Sequence, residues 1–315
     1  MHDISMMGHI LYDIRCYVDE FPMPDRMSLT KGRIRYSAGG SACNSSVCAA
    51  NLGKDVTMCG RIGFDDYGIF LINNFISKKV DTSNVIIDYH EPTGISVVVI
   101  DKEGEPEIVE MLGANEPISV KDIKSNFFDT KLVHMTGTNP SALMYVSASA
   151  KEHGAKVVFD PGRSASHIGY TRLEPILKNC DIIIGNRVEM ARLFEMENEA
   201  TLQEVEAKGR ELLGGKILVI KQGSRETVIL CDNSFRVNTF KVDVIDTLGA
   251  GDTFAGAFAT ALVENKSLED CAVFANAAAA LKVTREGAQS SPTRKELEDF
   301  IDKRRDEIEV EYLRA

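Results

Sequence analysis

Short apolar runs rich in β-branched residues, separated by longer helical patterns, constrain this chain's fold more than any other feature. Lys156-Val157-Val158-Phe159, Asp181-Ile182-Ile183-Ile184, Ile217-Leu218-Val219-Ile220 and Val97-Val98-Val99-Ile100 are apolar almost throughout. Runs of that kind are expected of strands covered on both faces of a parallel sheet. Between them the spacing predicts a helix over 141–153, closed by Gly154, and another over 202–213, stopped by Gly214-Gly215. Strand, helix, strand in repetition points to an α/β fold with a doubly wound, mostly parallel sheet.

Two stretches break the rhythm. Residues 10–36 and 93–112 read as extended segments joined by turns, with Lys102-Glu103-Gly104-Glu105 as a hairpin signal. Meeting in space, they would form a small β-sheet lid beside the larger body, within one domain over 1–315. The last segment, 294–314, reads as a charged helix packed by Leu297, Phe300 and Ile301.

Charge and cysteine usage then exclude several function classes. The 36 basic residues against 47 acidic ones leave a net charge of −11, the wrong sign for a nucleic-acid binder. No apolar run approaches the ~18 residues of a membrane span. Met1-His2-Asp3-Ile4-Ser5 does not open a signal peptide, so a cytoplasmic location is expected. Seven scattered cysteines without a C-x-x-C spacing suggest neither a disulfide framework nor a zinc site.

The chemistry concentrates at Asp246-Thr247-Leu248-Gly249-Ala250-Gly251-Asp252-Thr253-Phe254. The run 241–245 before it reads as a strand, and Phe254, Phe258, Ala261 and Leu262 after it have helical spacing. Glycines at a helix start expose backbone N–H groups, and the helix dipole adds positive character there, which makes an anion site. Two roles are open to Asp252: a helix cap, or a base that takes the proton of an attacking hydroxyl.

Three further places are chemically suggestive. Gly39-Gly40-Ser41-Ala42-Cys43-Asn44 brings backbone close to a ligand and supplies an amide for hydroxyl groups. Asn186-Arg187-Val188-Glu189 follows a core strand, at the edge where doubly wound sheets bind ligands. Its two oxygen-bearing side chains suit Mg²⁺ held through water, or simply open a helix. Lys221-Gln222-Gly223-Ser224 follows another core strand and would form a nucleotide-side loop.

Taken together, these segments resemble the ribokinase-like (PfkB) carbohydrate kinase family. Gly39-Gly40 with Asn44 is similar to its N-terminal signature, and 246–252 to its D-T-x-G-A-G-D signature. Gly60-Arg61-Ile62-Gly63-Phe64-Asp65-Asp66-Tyr67-Gly68, Gly113-Ala114-Asn115 and 276–288 also resemble family segments, in the same order. The resemblance implies ATP-dependent phosphoryl transfer to a hydroxyl of a sugar, sugar acid or nucleoside, with Asp252 as base. It implies an anion hole from the amides of Gly249, Ala250 and Gly251. Substrate contacts would come from Asp13, Gly39, Gly40, Asn44 and Arg163. ATP would lie near Asn186, Lys221, Gly223 and Asn276, with Mg²⁺ organised by Asn186 and Glu189. A monovalent cation, K⁺, would sit at Asp246 with carbonyls of Leu248 and Val283. A homodimer through the lid is a further implication.

This chain departs from the ribose-specific pattern at several points. Ser41 and Cys43 alter the first loop, and His134 stands in Val133-His134-Met135-Thr136-Gly137 where ribose-specific members tend to carry an acid. Asp160-Pro161-Gly162-Arg163 is similar to a variant in nucleoside kinases, and Glu226 replaces a loop glycine. Three readings therefore stand: a sugar kinase, a nucleoside kinase on the same fold, and a sugar-binding sensor without activity.

Overall fold

Side-chain alternation along the central strands divides the apolar residues between two cores. Ile4, Met6, Val158, Ile182, Ile184 and Val219 face one helical layer, while Met7, Val157, Phe159, Ile183, Leu218 and Ile220 face the other. The first layer holds the helices Ser41–Asn51, Asp66–Ser77, Ala250–Val263, Leu268–Val283 and Arg294–Arg304. The second holds Pro140–Glu152, Tyr170–Asn179, Arg187–Leu193 and Leu202–Leu212. A strand buried on both faces needs apolar residues at consecutive positions, which accounts for the continuous runs in the sequence.

The computed structural model describes residues 1–32, 34–103, 106–116, 118–137 and 139–313. Its main sheet runs Val310–Tyr312, Phe235–Asn238, Glu226–Leu230, Ile217–Lys221, Ile182–Asn186, Lys156–Asp160, Thr130–Thr136, His2–Met7, Val56–Gly63, Val85–Asp88. Pairing is parallel from Ile217–Lys221 through to Val85–Asp88 and antiparallel across the other edge. Chain order reverses beside His2–Met7, which places a ligand crevice beyond the carboxyl ends of that strand and Thr130–Thr136.

The lid is a separate sheet ordered Arg35–Gly39, Leu11–Tyr17, Gly94–Ile100, Pro106–Met111. Its central pair is parallel and its outer pairs antiparallel. The run Val97–Ile100 belongs here rather than in the main sheet, and its alternating burial shows a strand with one face covered. Gly104 and Glu105 of the hairpin signal lie outside the described residues.

Two expectations need correction. Residues 241–245 form no strand: Val244 and Ile245 are exposed, and the amides of Ile245 and Asp246 instead donate to the Val283 carbonyl at 2.7 and 3.1 Å. The run has β-like composition but no neighbouring strand edge to pair with. The terminal helix stops at Arg304, and Val310–Tyr312 then turns back to pair with Phe235–Asn238; Arg314 lies outside the described residues.

Candidate active site

The turn 246–252 is folded by its own first residue. One carboxylate oxygen of Asp246 accepts the Leu248 amide at 2.9 Å, and the other accepts the Gly287 amide at 2.8 Å. Gly249 enters the left-handed region (φ 79°) and opens the helix Ala250–Val263. A Cβ at Gly249 would stand 2.5 Å from the Ala288 carbonyl oxygen, so both strain and space demand glycine. The Ala250 amide donates to the Thr247 carbonyl at 3.1 Å. Of the three expected anion-hole donors, Ala250 is thus engaged in the turn.

Asp252 does not cap this helix. Gly249 is the capping residue and makes no side-chain cap bond. Asn44, from the helix Ser41–Asn51, donates its amide to Asp252 Oδ2 at 2.7 Å, and Ser45 Oγ donates to the Asp252 carbonyl at 3.0 Å. Burial raises the pKa of Asp252 and the charge of Asp160 raises it further, against the Asn44 bond and the Lys221 ammonium. A carboxylate oriented by an amide and made more basic by its surroundings suits proton abstraction.

Lys221 joins this group more directly than a loop residue would. Its ammonium lies 3.1 Å from Asp160 Oδ2 and 3.4 Å from where a Cβ on Gly251 would stand. Burial works against its charge, but Asp160, Glu189 and Asp252 outweigh that and hold its pKa above the ordinary value. Asn186 and Glu189 form a reciprocal cap: Asn186 Oδ1 accepts the Glu189 amide at 2.9 Å, and Glu189 Oε2 accepts the Asn186 amide at 2.8 Å. Burial raises the pKa of Glu189, and Asp160 raises it further. The helix-opening role is thus the one the geometry shows at this pair. One oxygen of Glu189 remains for a hydrated cation, and the acidic surroundings of Asp160 and Asp252 favour one.

Register in the lid decides which side chains face the site. Ser37, Asp13, Ser96 and Glu110 form one cross-strand row, and Arg35, Arg15, Val98 and Ile108 the next on the same face. Asp13 is 7% exposed, and burial pushes its pKa up to about 7, with Glu110 and Asp252 adding and Arg15 opposing. Burial also raises the Glu110 carboxyl pKa, against the charge of Arg163. Gly39 leaves room for Asp13, since a Cβ there would stand 2.1 Å from Oδ1. The Asn44 Oδ1 and Ser37 Oγ atoms are buried and unpaired among the described residues, as expected of groups awaiting a hydroxylated ligand.

Other expected contacts fall elsewhere. Gly223 lies exposed in the turn after Ile217–Lys221, with a positive φ of 59°. Asn276 is committed internally: Oδ1 accepts from Thr227 Oγ1 at 2.8 Å, and Nδ2 donates to the Asn238 carbonyl at 3.2 Å. Both ends of its amide are thereby paired within the protein. His134 is fully buried, and burial lowers its pKa to about 4. Both of its ring nitrogens are buried without a hydrogen-bond partner among the described residues.

Known proteins share this fold. The family pattern described as "pfkB family carbohydrate kinase" matches residues 1–295. The chain belongs to that family. It is a carbohydrate kinase, a phosphotransferase with an alcohol group as acceptor. An ATP-dependent ribose-1-phosphate kinase of Halopiger xanaduensis is 30% identical, over 95% of this kinase and 98% of the relative. The ribokinase of Haemophilus influenzae is 32% identical, again over 95% and 98%. The structure of Arabidopsis thaliana ribokinase complexed with ribose and ATP superposes with a TM-score of 0.83 at 28% identity, over 95% of this kinase and 98% of that chain.

Sequence reading missed Ser37, Ser96, Glu110 and the central position of Asp160. Ser96 was legible in principle, because it is a polar position within the otherwise apolar strand Gly94–Ile100. What was missing was the pairing register that lines it up with Asp13 and Glu110.

Proposed function

We propose that this kinase transfers the γ-phosphoryl group of ATP to a hydroxyl of a small sugar or sugar-like substrate held under the lid. Asp13, Asn44 and the polar row Ser37, Ser96 and Glu110 bind the substrate's hydroxyls, with the backbone at Gly39 and Gly40 close beside it. Arg163, whose charge acts on Glu110, suits an anionic substituent such as a phosphate or carboxylate. Asp252 Oδ takes the proton of the attacking hydroxyl; the oxygen bonds to the γ-phosphorus as the bond to the ADP oxygen breaks. The amides of Gly249 and Gly251 and the ammonium of Lys221 face the charge of the transferring group. Glu189, through water, would hold Mg²⁺, which when bound neutralises phosphate charge. ATP lies along the side of Gly223, with Asn186 at its phosphate end and Asn276 bracing the cleft wall.

One observation carries this reading: the Asp252 carboxylate is turned away from capping and held by Asn44, with a paired lysine beside it. The test is ADP release across sugars, sugar phosphates, sugar acids and nucleosides. A sugar-class acceptor is expected to exceed every nucleoside by more than about tenfold in kcat/KM, or ~1.4 kcal/mol. Nucleoside preference by that margin would reassign the substrate while leaving the chemistry in place. Binding of a sugar with no ADP release from any acceptor would favour the silent sensor.

The outer face of the lid supports a homodimer. Tyr36, Ile14, Val97 and Val109 form an apolar row on it, with Val109 71% and Tyr36 57% exposed. A second copy of the chain would cover this row.

A further inference from the structure

The monovalent cation implied at Asp246 does not fit this chain, because the place is already taken by a side chain. Lys282, near the end of the helix Leu268–Val283, is wholly buried. Its ammonium donates to the Asp246 carbonyl at 2.6 Å and lies 3.8 Å from the Asp246 carboxylate. Arg15, reaching down from the lid, brings a second positive charge to 3.5 Å from the other carboxylate oxygen. Three of the acceptors implied for an external cation are already engaged. Both carboxylate oxygens of Asp246 accept backbone amides, and the Val283 carbonyl accepts two. A third cation here would meet two positive charges already beside the Asp246 carboxylate.

We propose that the Lys282 ammonium is a built-in monovalent cation behind the anion-hole turn, so that this kinase works without K⁺. An ammonium group is close to K⁺ in size and charge, and it binds the same carbonyl oxygens. Burying a lysine is costly unless its charge is used and paired. Here it holds the carbonyl of the residue that folds the turn. From the rear, it also adds positive potential to the helix start whose front amides face the phosphoryl group. Lys282 is a positioning residue: it touches neither substrate nor nucleotide. The inference rests on the phosphoryl-transfer role assigned to this turn.

The test begins with the unaltered enzyme in tetramethylammonium salts, with KCl replacing them at constant ionic strength. Activity is expected to change by less than about twofold, and Tm by less than about one degree, because a cation without a native site gives no stabilisation. Saturable activation of tenfold or more, or a saturable K⁺-dependent rise in Tm, would overturn the proposal. The Tm arm needs no turnover, so it stays informative even if the kinase assignment fails. Lys282→Ala is expected to lose roughly 10²-fold in kcat without K⁺, with little change in sugar KM. KCl or NH₄Cl should restore much of that loss and tetramethylammonium none. A folded variant that no cation rescues, or one fully active without any, would also overturn it. If the variant fails to fold, the unaltered enzyme decides the question alone.

Discussion

Two buried lysines flank the turn 246–252, and their settings differ in an instructive way. Lys221, in front, faces Asp160, Glu189 and Asp252, and these carboxylates hold its pKa above the ordinary value despite burial. Lys282, behind, bonds a backbone carbonyl and has Arg15 nearby; burial lowers its pKa to about 8, against the pull of Asp246. The front lysine has charge partners that a phosphate can compete with. The rear one is closed off, and its hydrogen bond is spent inside the protein. One turn thus has a lysine on each of two sides, one paired with carboxylates and the other with a backbone carbonyl.

The front side breaks most severely at Asp252. Asp252→Asn keeps the Asn44 contact within reach but removes the base, and kcat is expected to fall by about 10²–10⁴ with Tm little changed. Near-full turnover by that variant would remove Asp252 from the chemistry. Lys221→Met should come next, with kcat down by roughly 10²–10³ and no recovery in K⁺. That absence of rescue is the sharpest contrast with Lys282→Ala, and cation titration of both variants measures it. If K⁺ restored both equally, front and rear would not differ in kind.

A smaller effect separates the lid from the turn. Asp13 titrates near 7 in the fold against an ordinary 3.8. The folded state therefore holds an extra proton between those values. Its contribution to stability is full below about pH 4 and is lost as the pH rises through 7. Asp13→Asn should gain on the parent across that window, by a few kcal/mol at most, as denaturant unfolding at pH 5 and pH 8 would show. The same variant should lose the acid limb of kcat/KM near pH 7, whereas the lysine variants should keep it. The smallest effect is expected at Val109→Glu on the outer lid face. It should weaken self-association in light scattering and leave the Asp252 chemistry of each subunit in place.

Much of the site lay open in the sequence. Gly39, Gly40, Asn44 and the stretch 246–252 are local signatures whose backbone demands allow few residue types, and the structure brings them together. Asn186 and Glu189 were also legible as a helix opening, because a reciprocal cap draws on those residue types. Residues 241–245 misled because β-branched composition reports strand preference and not the presence of an edge to pair with. The pairing of Asn276 with Thr227 and Asn238 was not legible, because a motif position does not reveal its partners across the fold.

By itself the sequence determined the layered α/β architecture, the lid's two segments and the glycine turn with its acidic residue, since each depends on patterns within a few residues. Only the tertiary structure decided that Asp252 is held by Asn44, that Ser37, Asp13, Ser96 and Glu110 share one row, and that Lys282 reaches Asp246. Those outcomes join residues from 14 to 208 positions apart in the chain. Strand register and burial set such contacts, and no local pattern encodes them.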